Sequence, residues 1–227
     1  ADGFRVGDGV MLETKNPHHG GLDVLRRTLV ARSGNRFKLD KALRNNFWAQ
    51  MTPTVSSRFP MITAENESAM VIENLVLDGN RANNANVNGN YGGALWFQDC
   101  ENMLFKGLEI HDYNGDGISF QICHDVNVEN CRLLNNTDLG IHPGSGSKRP
   151  IIKNNIVKGS NVGLFFCWGV MYGVAEQNRL EENTTGISIG HHDDNNKIRE
   201  NDVLNSKKVG LVFRPERGEG FTAKGNL

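Results

Sequence analysis

The sequence predicts an all-β solenoid: a right-handed parallel β-helix of about 23 residues per coil, with a small antiparallel β subdomain at its N-terminal side. Three observations predict it. A Gly-apolar-x-apolar unit recurs at Gly93, Gly117, Gly140, Gly163, Gly186 and Gly210, at intervals of 24, 23, 23, 23 and 24 residues. A second register reads apolar-x-x-Asn-x-apolar at Ile152/Asn155/Val157, Ala175/Asn178/Leu180 and Ile198/Asn201/Val203, with Asn226 next in line. Each return segment is polar and rich in asparagine, a poor helix former, which separates this repeat from a leucine-rich one. Two short strand patterns per unit cannot close a core alone, so neighbouring coils must stack and bury a shared interior.

The elements follow in order. Residues 1–60 alternate apolar and polar over 4–12, 27–31 and 36–43, with a hairpin-like turn at Ser33-Gly34-Asn35, and predict the antiparallel subdomain. Residues 61–227 form the β-helix. An early coil lies at 69–80, and the polar stretch 81–91 reads as a loop grown out of one turn. In the Gly-led strands, alternation sends Ile118, Ile141, Leu164, Ile187 and Leu211 inward, with Phe120, Phe166, Ile189 and Phe213 two residues later. Facing outward are Leu95 and Phe97, Ser119 and Gln121, His142 and Gly144, Phe165 and Cys167, Ser188 and Gly190, and Val212 and Arg214. The asparagines at one register are expected to hydrogen-bond from coil to coil and satisfy buried turn amides. Cys100 and Cys123 fall on adjacent coils, close enough for a disulfide, with a reduced stacked pair preferred. The sequence stops at Leu227 halfway round a coil, and a bare solenoid end exposes strand edges, so the helix is expected to continue past this segment.

Composition narrows the function. Twenty-five lysines and arginines balance 26 aspartates and glutamates, and the net charge of −1 offers no cationic field for nucleic acid or anionic lipid. The longest apolar runs, such as 162–170, fall far short of the ~20 residues that span a bilayer. Four cysteines lack the close pairs of a zinc or redox site.

The outer stripe mixes aromatic rings, imidazoles, carboxylates and guanidinium groups. A sugar polymer suits that mixture: rings cover apolar pyranose faces, and arginine or lysine neutralises uronate carboxylates. The candidate catalytic residues are His142, His191, Asp193 and Arg214. An imidazole at the mid-wall slot of His142 can give or take a proton at neutral pH; the alternative is a hydrogen-bonded surface histidine. The turn at 191–194 reads as an acid/base pair or a cation site, and Arg214 as a charge stabiliser or a partner of Glu216. Gln121, Phe165, Trp168, Tyr172, His192 and Arg217 are the candidate substrate contacts, with Gly144 and Gly190 keeping a groove open beside Trp168. Asp112, Asp116 and Asp138 read as turn residues that accept backbone hydrogen bonds. No metal ligand is assigned and no cofactor is required, calcium at the 191–194 turn being the alternative.

The Gly-Ile-Ser-Ile-Gly and Asn-x-apolar coils from Gly93 onward resemble the pectin lyase-like right-handed β-helix superfamily. That resemblance implies a secreted or periplasmic protein acting on acidic polysaccharides by lyase, glycosidase or epimerase chemistry, or a non-catalytic wall. Asn136-Thr137-Asp138 is similar to the Asn-Thr-Asp of polygalacturonases, and 186–190 resembles the strand after their catalytic histidine, although Thr185 stands where that histidine would. The expected function is cleavage or remodelling of a uronate-containing polysaccharide, with a non-catalytic glycan-binding or structural module as the alternative. The expected partners are a polysaccharide or oligosaccharide and a further segment of the same protein.

Overall fold

The computed structural model describes residues 3–57, 60–214 and 223–227. Contacts divide the chain into two units, Ala1–Phe59 and Pro60–Leu227.

The first unit is an antiparallel sheet with strand order Arg36–Leu39, Leu22–Ser33, Gly9–Lys15 and Thr54–Ser56. Ser33 pairs with Arg36, so Gly34 and Asn35 form the two-residue hairpin, with Gly34 at the positive φ such a turn requires. Val10, Met11, Leu12, Leu25 and Leu29 are its buried apolar side chains. Arg27 is buried with them, and its guanidinium donates to the carbonyls of Arg26, Lys41 and Ala42 at 2.6, 3.2 and 2.7 Å. Those bonds replace the water the group has lost. The first strand begins at Gly9 rather than Phe4, and the three-residue strand at Thr54–Ser56 is too short to have left a pattern.

The second unit is the solenoid. Its first face stacks Ile62–Glu65, Leu95–Gln98, Ile118–Gln121, Leu139–Gly144, Val162–Phe165, Thr185–Ile189 and Val209–Phe213 in parallel. The second face runs from Val71–Glu73 to Lys197–Arg199, and the third from Val76–Asp78 to Asp202–Leu204. Ile118 pairs with Ile141, Ile141 with Leu164, and Leu164 with Ile187, each pair 23 residues apart. All four are at most 1 % exposed, as the alternation requires. Leu211 and Phe213 keep their register with Ile187 and Ile189 but are 46 % and 52 % exposed, because no described coil lies beyond them.

Two expectations about register are corrected. Leu95 and Phe97 point into the core, since Leu95 pairs with Ile118 and Phe97 with Phe120. Ala94, not Gly93, therefore takes the slot of Gly117, and this one-residue slip turns Trp96 to the outer side. Asn155, Asn178 and Asn201 form the expected ladder: Asn155 Nδ2 donates to Asn178 Oδ1 at 3.0 Å, and Asn178 Nδ2 to Asn201 Oδ1 at 2.9 Å. Asn226 does not extend it. Its Oδ1 accepts from the backbone N and Nδ2 of Asn196, 30 residues earlier, so it belongs to the ladder at a different turn. The four cysteines are buried thiols, and the backbone N–H of Cys100 lies 3.4 Å from Cys123 Sγ.

The first coil is longer than the rest. Ile62 pairs with Leu95, 33 residues on, and the surplus is the predicted loop. It folds back over the first face. Val87 N–H donates to Asn114 O at 3.0 Å, Asn114 Nδ2 to Asn84 O at 2.6 Å, and Ser119 Oγ to Gly89 O at 2.7 Å.

Candidate functional site

That roof changes the outer wall. Ser119, Gln121, His142 and Ser188 occupy the outward slots as expected, yet all are nearly fully buried. The groove expected beside Gly144 and Gly190 is filled. The Gln121 amide lies where a side chain at Gly144 would project, and Arg214 lies against Gly190, where an added Cβ would come within 2.9 Å of its Nε.

What remains open is a cleft of ≈ 400 Å³ under the roof, lined among others by Asn88, Asp116, Asp138, His142, Phe165 and Trp168. His142 lies deep in it, 2 % exposed. Its Nδ1 lies 2.8 Å from Asp116 Oδ2 and 3.3 Å from Ser119 Oγ. Its Nε2 is buried and meets no hydrogen-bond partner among the described residues. Asp116 is fully buried, and its Oδ1 accepts from Leu139 N–H at 3.0 Å. Burial raises the Asp116 pKa, against the opposing pull of His142. Asp116 thus does accept a backbone hydrogen bond, as the sequence suggested, but its second oxygen organises the histidine. Spacing alone hid this, because the pairing runs between a turn residue and a strand residue 26 positions later. The roof is fitted to the pair: a Cβ on Gly89 would stand 1.8 Å from Asp116 Oδ2, so only glycine can pass there.

The other candidates fall into three groups. Phe165, Trp168 and His191 share the cleft with His142. The Phe165 ring meets His142 edge-on at 5.2 Å between centroids, and Trp168 stacks on His191 at 5.2 Å and 14°. Asp193 and Arg214 lie outside this lining and engage each other at 3.2 Å. The Asp193 oxygens accept from Val170 N–H and Gly190 N–H at 2.9 and 2.8 Å, and burial pushes its pKa up to about 6 despite the nearby guanidinium. Arg214 Nη2 also donates to Phe166 O at 2.6 Å, and its guanidinium covers the Phe165 ring at 4.2 Å. It approaches Phe165 from the later coils while His142 approaches from the earlier one.

Gln121, Tyr172 and His192 do not line the cleft. Gln121 donates to Ser119 Oγ at 3.1 Å, beneath the wall. Tyr172 instead borders a groove of ≈ 650 Å³ on the second face with Ile151, Asp125 and Arg149. His192 is exposed at the turn. Arg217 and Glu216 lie outside the described residues. The calcium alternative would draw on Asp193 and Asp194, whose side chains accept from the backbone N–H groups of Val170, Gly190 and Lys224.

No curated protein and no solved structure matches this chain. A family model described as "Right handed beta helix region" matches residues 56–219, well over half of the sequence. The stacked parallel faces and that match agree, and the chain belongs to the right-handed β-helix family.

Proposed function

We propose that the cleft binds a polysaccharide or oligosaccharide and that His142, held by Asp116, transfers a proton in its cleavage or remodelling. The unpartnered Nε2 of a buried histidine inside the cleft carries this reading. With Asp116 ionised, the carboxylate takes the Nδ1–H and leaves the Nε2 lone pair as a base. With Asp116 protonated, the acid donates to Nδ1 and Nε2 holds the proton as an acid. The burial that raises Asp116 brings the two states closer, so the pair can serve either direction of transfer. Ser119 is not the nucleophile of a serine-type triad, because it shares Nδ1 with Asp116 and spends its own proton on Gly89 O. Phe165 and Trp168 supply faces for pyranose rings. Acting on such a polymer, the protein works outside the cytoplasm, secreted or periplasmic.

Nε2 is buried, so reaction there requires the cleft to open around it. That burial favours a second reading, a glycan-binding wall without catalysis. One experiment separates the two. The protein is incubated with a polysaccharide panel while ultraviolet absorbance of unsaturated uronides and reducing ends are both followed. Catalysis predicts product that falls by about 10²–10⁴-fold in His142→Ala. Product unaffected by that substitution rejects His142; saturable binding with no product on any polymer leaves the binding wall.

A further inference from the structure

The sequence led to uronates through its cations, and the structure engages Lys148, Arg149 and Arg214, the described ones, elsewhere. Lys148 Nζ donates to Gly169 O at 2.7 Å. Arg149 forms a two-pronged pair with Asp125 at 2.7 and 2.6 Å and borders the second-face groove. Arg214 is held by Phe166 O and Asp193. Among the described residues, the cleft lining contains no lysine or arginine; its polar members are the amides of Asn88, Asn90 and Asn161, the carboxyls of Asp116 and Asp138, and two histidines. Asp138 makes no side-chain hydrogen bond to another described residue, and its charge is felt at Asp116.

Resting on the reading of the cleft as a glycan site, we infer that the sugar unit it holds is uncharged, recognised through hydroxyl groups by these amides and by Asp138. A carboxylate is a strong acceptor for paired sugar hydroxyls, and an amide both accepts and donates. A uronate carboxylate in the same place meets Asp138 with no lysine or arginine in the described lining to offset the repulsion, in a site whose burial strengthens it. The buried, unpartnered His142 Nε2 independently marks the cleft as built for a ligand.

Matched pairs of oligosaccharides test this: oligogalacturonate and oligoalginate pentamers, each beside the same oligomer with its carboxyl groups reduced to hydroxymethyl, together with neutral plant and microbial oligosaccharides. Affinity is measured by calorimetry and by tryptophan fluorescence, for the wild type, Trp168→Ala and Asp138→Asn. Trp168 is 59 % exposed, so its removal tests location without threatening the fold. The inference expects neutral members to bind at least about tenfold more tightly than their uronate counterparts, Trp168→Ala to weaken that binding, and Asp138→Asn to narrow the preference. Tighter uronate binding that Trp168→Ala still weakens overturns the inference and leaves the cleft in place. Binding indifferent to Trp168→Ala, or none from any oligomer, overturns the cleft reading and the inference with it. A preference unchanged by Asp138→Asn overturns the charge explanation.

Discussion

Two carboxylates lie in the solenoid wall under different constraints, and each makes its own prediction. Asp116 is tied to His142 at 2.8 Å, so Asp116→Asn should lower any turnover on the scale of removing a proton-transfer group, about 10²-fold or more, with little change in affinity for the glycan. Steady-state kinetics that divide turnover from binding check it. Asp193 titrates about 6 instead of 3.8, so the folded protein holds its proton more tightly than the unfolded chain. Stability from this group is therefore complete below about pH 4 and is lost as pH rises toward about 6, by up to about 3 kcal/mol. Urea unfolding at closely spaced pH values should show that decline in the wild type and a flatter profile in Asp193→Asn. The sequence exposed His142 as an outward slot but not its partner, because a turn aspartate looks the same whether it caps a backbone amide or orients a ring.

The strands were legible because their period is nearly constant: a glycine and its following apolar residues return every 23 or 24 positions, and burial follows. Where one glycine misled, at Gly93, the error was a single residue and inverted Leu95, Trp96 and Phe97 together. The loop at 81–91 was visible as an insertion, but its composition said nothing about which face it would cover. Its fit can be tested at Gly89. Gly89→Ala should push the segment off Asp116, costing about 1–3 kcal/mol, and raise amide exchange across 84–92 while the core strands stay protected. The asparagine ladder offers a second test. Asn178 donates to Ile152 O and Asn201 Oδ1 and accepts from Asn155, so Asn178→Ala strands buried groups at about 1–3 kcal/mol each. Chemical denaturation reads the loss.

Across the whole solenoid, each coil contacts its neighbours and the interior is one continuous apolar column from Ile72 to Ile189. Excision of residues 155–177, a full period, joins equivalent positions and should leave a shorter folded helix; removing two fewer residues keeps strand parity but breaks the turns, and should unfold it. Circular dichroism and thermal melts decide. The catalytic reading was less legible than the column, since it depends on what the inserted loop covers and on where long side chains such as Arg214 lie down, and neither is periodic. That loop leaves and rejoins the stack within one turn, while what it shelters is anchored in the strands and turns beneath. A different loop grafted between the same two points would give the molecule a new appetite on an unchanged frame, much as exchanging a nozzle alters a tool without rebuilding its handle.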